Sequence, residues 1–196
     1  MRYYDGDRIY LRPVELADEP LLRRWFNDPE NWRTLQRFGP INEQREREFI
    51  EELYKSPDDL SLGIVVQEGD VLVGVTGLHG LGGPNRSATF GIALGEREYQ
   101  GRGFGTEATR LMVRYGFEEL NLNRIGLTVF AGNERGIRTY RRSGFVREGC
   151  LRQTLYRNGR YQDELCYSIL RSEWERSGDA EQSDDEEASA EDDGVA

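Results

Sequence analysis

The sequence predicts an α/β (α+β) fold, in which a mixed and mostly antiparallel central sheet of about seven strands has helices on both faces. Hydrophobic periods typical of strands and helices follow the order β-α-α-β-β-β-α-β-α-β-β, without an internal repeat. Three consecutive strands indicate an antiparallel meander, and the helices between later strands indicate crossover connections. A chain of 196 residues suits one domain, which we expect to span residues 1–177.

The first half of the chain contains the signals of one strand, two helices and a meander. Arg8–Val14 alternates polar and apolar residues as a strand does, and residues 15–28 have an apolar stripe of helical period. Residues 42–55 predict a second helix that is polar on most sides. Residues 61–80 predict a hairpin, and residues 86–95 supply the third strand of the meander.

The second half begins with a glycine-rich loop and then alternates helices with strands. The loop Gln100–Gly105 leads into a helix over residues 104–120, and the dense Ile, Leu and Val residues of Arg124–Ala131 predict a buried strand. Asn133 is a suitable N-cap for the next helix. The last segment predicts a hairpin that turns at Asn158-Gly159, because Asn-Gly is the strongest short hairpin signal.

The formal charge of −10 is concentrated at the C-terminal end of the chain. Residues 178–196 contain nine acidic residues and no basic one, so the remainder is close to neutral. We expect this segment to be a disordered acidic tail, because it has no hydrophobic period with which to form a core. A nearly neutral body argues against a nucleic-acid partner, which needs a basic surface. Lys55 is the only lysine among 26 basic residues, which is typical of a halophilic-type acidic protein or of a GC-rich genome.

Several further properties follow from what the sequence does not contain. The N-terminal segment has no apolar signal region, and no stretch approaches the length of a membrane-spanning helix. We therefore expect a cytoplasmic protein without a membrane partner. Cys150 and Cys166 lie in strand-like runs without metal-ligand spacing, so we expect two free thiols and no metal site. A homodimer is the default assembly.

The loop Gln100–Gly105, with three glycines in alternation before a helix, predicts an anion site. A helix N-terminus presents N–H groups without intrahelical partners, and glycines let a ligand approach the backbone closely. A Walker loop requires a lysine, which Gly105-Thr106 lacks. A dinucleotide fingerprint has a different glycine spacing and does not follow a meander. A tight turn without a ligand is the remaining alternative.

The same loop resembles the Gln/Arg-x-x-Gly-x-Gly/Ala motif of the GCN5-related N-acetyltransferase (GNAT) superfamily. Asn133–Phe145 resembles the family's Asn-x(6)-Tyr-x(3)-Gly-Phe signature. Residues 159–174 resemble the C-terminal hairpin of the ribosomal-protein-alanine (RimJ/RimL-like) and spermidine N-acetyltransferase branch. The resemblance extends over about residues 7–175. It implies the GNAT fold, an acyltransferase activity and acetyl-CoA as co-substrate.

The resemblance also implies which residues contact acetyl-CoA. In the family, the amides of the glycine loop hold the pyrophosphate, and the preceding strand, which splays from its neighbour Arg124–Ala131, binds the pantetheine arm and the acetyl carbonyl. An asparagine also hydrogen-bonds that arm; for Asn133, a plain N-cap is a second, compatible role. The implied contacts are Ile92, Ala93, Leu94, Gln100, Gly101, Arg102, Gly103, Phe104, Gly105, Thr106 and Asn133.

Acetyl transfer from a thioester to an amine needs one group that protonates the thiolate and another that accepts the amine proton. Tyr140 matches the family tyrosine that acts as general acid; a phenol of pKa ~10 can protonate a thiolate of pKa ~8.5 at a cost of about 2 kcal/mol. A packed aromatic residue is the alternative role of Tyr140. Many relatives have a glutamate where this chain has Thr89, which cannot serve as a base. His79 is the candidate base, and a structural histidine, Glu98 or a water chain are the alternatives.

The acceptor is predicted only as a primary amine. Gly77 and Gly80 stand where spermidine acetyltransferases offer acidic residues, which argues against a dedicated polyamine site. Family analogy places Trp32, Arg33 and Phe38 in the acceptor wall, although they could be ordinary surface residues. Their aromatic and cationic character suits a neutral or acidic acceptor, such as a peptide N-terminus or a carboxylate-bearing amine. The preferred acceptor is a protein N-terminal α-amine of the ribosomal-protein type. The alternatives are a small-molecule amine (a polyamine, amino acid or antibiotic) and a non-catalytic acetyl-CoA-binding module.

Overall fold

The structure is a computed structural model that describes residues 2–35 and 40–177. The segment 178–196, expected to be an acidic tail, lies outside the described residues. One sheet of eight strands runs through the described part, and helices flank it. None of the helices in these ranges is long and apolar enough to span a membrane.

The described chain contains eight strands, five α-helices and two short 3-10 turns, and residues 171–177 are also helical. The strands are β1 Tyr4–Asp5, β2 Ile9–Pro13, β3 Asp59–Val66, β4 Val71–His79, β5 Ser87–Leu94, β6 Arg124–Phe130, β7 Val146–Arg157 and β8 Arg160–Leu170. The helices are α1 Glu19–Asn27, α2 Pro29–Trp32, α3 Glu43–Lys55, α4 Phe104–Glu118 and α5 Glu134–Arg142.

The strands lie in the order β1-β2-β3-β4-β5-β6-β8-β7. Every neighbouring pair is antiparallel except β5 and β6, which are parallel. The predicted mixed, mostly antiparallel sheet is therefore confirmed. The parallel pair arises because α4 returns the chain across the sheet before β6 begins. β1 is the strand beyond the expected seven, and its two residues are too few to show a hydrophobic period.

The helix predicted over residues 15–28 begins later than expected. A 3-10 turn over Leu16–Asp18 comes first, and Pro20 then lies in the first turn of α1. Proline has no backbone N–H, so a helix accepts it only where that group would lack a partner. Helix α2 was not predicted; its N-cap Asp28 accepts a hydrogen bond from the N–H of Glu30 at 2.9 Å.

Helices lie on both faces of the sheet, as predicted, and they cover separate hydrophobic cores. Met112 and Phe117 of α4 are fully buried in the first core. Ile50 of α3 is fully buried in the second core, beside α1. Successive residues of β5 enter different cores, Ile92 the first and Ala93 the second. Because successive side chains of a strand point to opposite faces, the two cores lie on opposite sides of the sheet.

Glu148 joins three strands near one end of the sheet. Its carboxylate on β7 accepts hydrogen bonds from Arg124 of β6 at 2.6 and 2.5 Å and from Ser168 of β8 at 2.8 Å. The Arg124 guanidinium first, and then the Ser168 hydroxyl, lower the pKa of Glu148 to about 2. Charge-assisted, bidentate pairs of this kind favour the ionised carboxylate.

We expect Glu148→Gln to lower the midpoint of thermal unfolding at pH 7 by on the order of 2 °C, a small effect because the pair is partly exposed. A carboxylate with a depressed pKa stabilises the fold above its unfolded pKa of ~4.3, and this contribution disappears as the pH falls through about 2. The midpoints of wild type and variant should therefore converge in acid. Glu134→Gln, which removes an exposed pair with Arg138, is the control and should change the midpoint less. A wild-type advantage that is unchanged in acid would contradict this role.

Candidate functional site

Strands β5 and β6 separate part of the way along the sheet. Their parallel register ends at the pair Thr89–Gly126, and beyond it β6 pairs only with β8. The rest of β5, residues Phe90–Leu94, pairs with β4 alone. Alternate residues of a strand direct their N–H and C=O groups to opposite edges. The groups of Phe90–Leu94 that face β6 therefore have no strand partner. The sheet therefore splays at this point.

The separation opens a cleft of about 480 Å³. Its walls come from β5, the glycine loop, the end of β6, helix α5, and the α1–α2 region with the turn after it. Arg102 and Phe104 are not part of its lining. The other predicted cofactor-contacting residues do line it, namely Ile92, Ala93, Leu94, Gln100, Gly101, Gly103, Gly105, Thr106 and Asn133.

The glycine loop is a row of unpaired backbone donors. The N–H groups of residues 101–105 have no hydrogen-bond partner within the described part of the chain. Gly101 and Gly103 adopt φ angles of +77° and +91°, in the left-handed region that favours glycine. Gly103 is the N-cap of α4, where the helix dipole also favours negative charge. This arrangement can bind an anion such as a diphosphate.

The Gln100 side chain braces the loop. Its Nε2 donates to the carbonyl of Leu94 at 2.6 Å and to Oδ1 of Asn31 at 3.3 Å. Its Oε1 accepts a hydrogen bond from Arg135 of α5 at 2.8 Å. Both ends of the amide are thus engaged, so Gln100 positions the loop against β5 and α5.

Arg102 and Phe104 contribute to the site through their backbone. The Phe104 side chain is buried in the first core. The guanidinium carbons of Arg8 and Arg102 lie 4.8 and 5.5 Å from the centroid of its ring. Arg8 also donates to the carbonyl of Arg102 at 3.1 Å. These contacts hold the loop through side chains that do not line the cleft.

Helix α5 supplies Asn133 and Tyr140 to the cleft. Oδ1 of Asn133 accepts a hydrogen bond from the N–H of Gly136 at 3.0 Å, which confirms its predicted N-cap role. The Asn133 Nδ2 group has no partner among the described residues, so it is a donor that a ligand can use. Two roles for this one side chain are therefore compatible.

Tyr140 is buried in an aromatic cluster. Its ring makes edge contacts with Phe90 and Phe145 at centroid distances of 6.2 and 6.0 Å. Its hydroxyl has no hydrogen-bond partner in the described ranges, yet it is not sealed from open space, since Tyr140 lines the cleft. Burial disfavours the charged phenolate and raises the pKa of Tyr140 to about 12. The phenol of this cleft-lining residue is therefore protonated at neutral pH.

A second cavity of about 200 Å³ adjoins the cleft and contains His79. The cleft and the second cavity share five lining residues, Phe26, Leu35, Gly91, Ile92 and Ala93. His79 does not line the larger cleft. The two cavities therefore meet at the part of β5 where the sheet splays.

Asp59, which sequence reasoning missed, orients His79. Its Oδ1 lies 3.0 Å from Nδ1 of His79, and its Oδ2 accepts a hydrogen bond from Ser56 at 2.8 Å. The Ser56 hydroxyl first, and the histidine as well, hold the pKa of Asp59 below its usual range. Asp59 pairs with His79 in the β3–β4 register. The β3–β4 register shifts by one residue between Ile64 and Val65, so counting back from the predicted hairpin turn would have missed this pair by one position.

Two of the predicted acceptor-wall residues, Trp32 and Arg33, lie beside the cleft. The guanidinium carbon of Arg157 lies 4.7 Å from the centroid of the Trp32 ring. A guanidinium nitrogen of Arg33 lies 2.6 Å from a carboxylate oxygen of Glu30. Neither Trp32 nor Arg33 lines the described cleft, and Phe38 lies outside the described residues. Their neighbours line the cleft here, and sequence reasoning missed these residues: Asn31, Thr34 and Leu35.

Arg157 holds this wall in place. It is buried, and it donates to the carbonyl groups of Trp32 at 2.5 Å and Leu35 at 3.0 Å. Burial lowers the pKa of Arg157, although a guanidinium stays charged at neutral pH. The β7–β8 hairpin, where Arg157 lies, thus fixes the turn after α2.

Comparisons with known proteins place the chain among acetyltransferases. Residues 8–146 match the model of the acetyltransferase (GNAT) domain. The spermidine N(1)-acetyltransferase of Escherichia coli (strain K12) is 32% identical over 179 residues, which cover 85% of this chain and 88% of that protein. YdaF of Bacillus subtilis (strain 168), named as a candidate ribosomal N-acetyltransferase, is 41% identical over 104 residues, covering 53% of this chain and 56% of YdaF.

A solved structure is similar over most of the chain. It is the crystal structure of spermidine N-acetyltransferase from Vibrio cholerae in complex with CoA and spermine. The TM-score is 0.81 at 26% sequence identity, and the match covers 86% of this chain and 99% of that chain. CoA is therefore a suitable probe for the anion site described above.

We expect Gly101→Ala to weaken the binding of CoA at least tenfold, because a residue with a Cβ is strained at φ +77° and the loop amides would shift. Isothermal titration with CoA measures this effect. Gly159→Ala is the matched control: φ is +76° at this hairpin turn, and a Cβ at either glycine would meet nothing within 4 Å. Both variants should lose similar stability, of about 1–2 kcal/mol, and only Gly101→Ala should lose affinity. Equal affinities for CoA would contradict the assignment of the loop.

Proposed function

The chain belongs to the GNAT acetyltransferase family and is an N-acetyltransferase, and from that premise we propose that it moves the acetyl group of acetyl-CoA to the α-amine of a protein N-terminus. The observation that supports acetyl-CoA as donor is the cleft at the β5–β6 splay, which ends at five unpaired N–H groups. A long, flexible donor with an anionic end matches both parts of this cleft.

The fit of the donor follows from the groups that line the cleft. The unpaired amides of residues 101–105 bind the pyrophosphate. The free edge of Phe90–Leu94 hydrogen-bonds the amide groups of the pantetheine arm, in place of the missing strand. Nδ2 of Asn133 donates to the same arm. The Gly95 N–H bonds to the carbonyl of Val73 on β4. By alternation, Ala93 directs its N–H to β4, and Ile92 and Leu94 direct theirs to the free edge. The N–H groups of Ile92 and Leu94 stabilise the oxyanion that develops on the acetyl carbonyl.

The transfer is a direct attack of the amine on the thioester. The amine nitrogen forms a bond to the acetyl carbon, the C–S bond breaks, and the CoA sulfur receives a proton. Tyr140 supplies that proton as general acid. Protonating a thiolate of ordinary pKa from a phenol of pKa about 12 would cost roughly 5 kcal/mol. The thiolate forms in the same low-dielectric cleft, which raises its pKa too and reduces the cost.

His79 is proposed as the base that accepts the amine proton. The Asp59 carboxylate fixes the imidazole through Nδ1, which leaves Nε2 for the acceptor side. An α-amine with a pKa of ~7.8 is already partly neutral at physiological pH, so it needs little help from a base. A polyamine nitrogen of pKa ~10.4 would cost about 3.5 kcal/mol to deprotonate at pH 7.8. A single histidine base such as His79 therefore suits an α-amine acceptor better than a polyamine.

A polyamine acceptor is the second candidate function. It is supported by two of the proteins compared above, which are spermidine acetyltransferases. Glu30 is the one carboxylate among the lining residues of the two cavities in the described chain, and it is paired with Arg33. A polycation would therefore meet little negative charge, which makes the α-amine the better supported acceptor.

Tyr140→Phe is expected to reduce kcat at least tenfold and leave the affinity for CoA unchanged, because the ring contacts remain and only the proton donor is lost. The measurement is release of the CoA thiol from acetyl-CoA, with a panel of N-terminal peptides, amino acids and polyamines. Tyr167→Phe removes the hydroxyl of another buried tyrosine and is the control. Unchanged turnover in Tyr140→Phe would contradict the general-acid role. Binding of CoA without release of thiol by any amine would identify a non-catalytic module.

His79→Gln is expected to reduce kcat/KM for a peptide α-amine at pH 7, and the deficit should shrink as the pH rises above ~8, where the amine is already neutral. Asp59→Asn should give a smaller loss with the same pH dependence, because it acts through His79. The pH profile of kcat/KM is the readout. A deficit that is constant from pH 6 to pH 9 would show that His79 has a structural role only.

A further inference from the structure

We propose that the second cavity binds a compact apolar side chain on the carbon next to the acceptor amine, so that the substrate is an N-terminus with a residue such as Leu or Met. This inference rests on the proposed function and specifies its substrate. The observation behind it is the position and chemistry of the cavity of about 200 Å³ that adjoins the donor cleft.

The position of the second cavity suits an acceptor. Gly91, Ile92 and Ala93 of β5 line both this cavity and the donor cleft. An acceptor in the second cavity therefore lies on the other side of the strand segment that holds the acetyl group in the proposed mechanism. His79 also lines this cavity, so an amine at the junction has the candidate base beside it.

Two glycines that face each other across β4 and β5 present no side chain next to His79. Gly77 of β4 and Gly91 of β5 lie opposite each other in the sheet register. A Cβ at Gly77 would come within 3.1 Å of Nε2 of His79, and one at Gly91 within 3.8 Å. The imidazole nitrogen that is not bonded to Asp59 therefore lies over this pair. The Leu60 carbonyl fills the space beside Gly77, where a Cβ would lie 2.6 Å from it, whereas a Cβ at Gly91 would meet only His79. The room for an amine and its carbon therefore lies at Gly91.

The walls of the second cavity are apolar. Leu22 and Phe26 of α1, Phe49 and Leu53 of α3, and Val75 of β4 contribute to them. The polar side chains in the lining are Ser61, Thr76 and His79, and Thr76 already donates to the carbonyl of Gly91 at 3.0 Å.

The lining of the second cavity, taken over the described residues, contains no carboxylate. A second ammonium group of a polyamine would thus be desolvated there without a counter-charge. An apolar side chain, in contrast, would gain from burial in proportion to its area.

The test compares kcat/KM for peptides that differ only in the first residue (Gly, Ala, Leu or Met) and for spermidine. Since one methylene group in a well-packed pocket changes kcat/KM by roughly 10–200-fold, the leucyl and methionyl peptides should exceed the glycyl peptide at least tenfold. Spermidine should be the poorest substrate. Equal values for the four peptides, or a higher value for spermidine, would overturn the inference.

Two variants at Leu53 test the cavity itself. Leu53→Trp should fill it and invert the preference towards glycyl and alanyl peptides, with the affinity for CoA unchanged. Glu51→Trp adds the same ring at an exposed position on α3 and should leave the preference as in wild type. Leu53→Ala is the gentler second variant and should shift the preference towards larger side chains such as Phe. An unaltered order of preference in Leu53→Ala would overturn the assignment of the cavity even if Leu53→Trp failed to fold.

The outcomes separate this inference from the proposed function. If no amine releases thiol from acetyl-CoA, the proposed function fails. If peptides are acetylated without regard to the first side chain, the proposed function stands and the apolar cavity has no part in recognition.

Discussion

The early end of the β5–β6 register is the constraint on which the rest of the site depends. After Thr89–Gly126 the two strands diverge, so β5 keeps hydrogen bonds to β4 on one edge and exposes the other. β5 ends where the carbonyl of Val73 on β4 accepts hydrogen bonds from the N–H groups of both Gly95 and Glu96, and the β3–β4 register also shifts at Val73. The chain then turns into the glycine loop at the open end of the splay.

The groups around the splay are held by contacts between distant segments. Gln100 joins the loop to β5 and α5, and Arg157 joins the β7–β8 hairpin to the turn after α2. Asp59 holds His79 from the neighbouring strand. Each of these side chains uses its hydrogen-bonding groups on protein partners. The donors that remain for a substrate are mainly backbone amides, Nδ2 of Asn133 and the Tyr140 hydroxyl.

The fold and the donor side of the site could largely be predicted, because their signals are local. The glycine loop, the Asn133 cap and the spacing to Tyr140 are each contained within a short segment. The acceptor side could be predicted much less well, since it depends on register and on long-range packing. Asn31 is held by Gly95 and Leu35 by Arg157, and each of these contacts joins residues more than 60 positions apart in the sequence. Short elements such as β1 and α2 have too few residues to show a period.

The two sides of β5 also differ in their chemistry. The cleft on one side presents backbone groups that suit phosphates and amides, whereas the cavity on the other side, the proposed acceptor site, is apolar and has one histidine in its described lining. The account as a whole therefore predicts an α-amine product, and the position of the transferred acetyl group tests it most directly. The measurement is mass spectrometry of proteins and metabolites after incubation with isotopically labelled acetyl-CoA. The account predicts label on protein N-terminal α-amines; label confined to polyamines or to lysine side chains would contradict it.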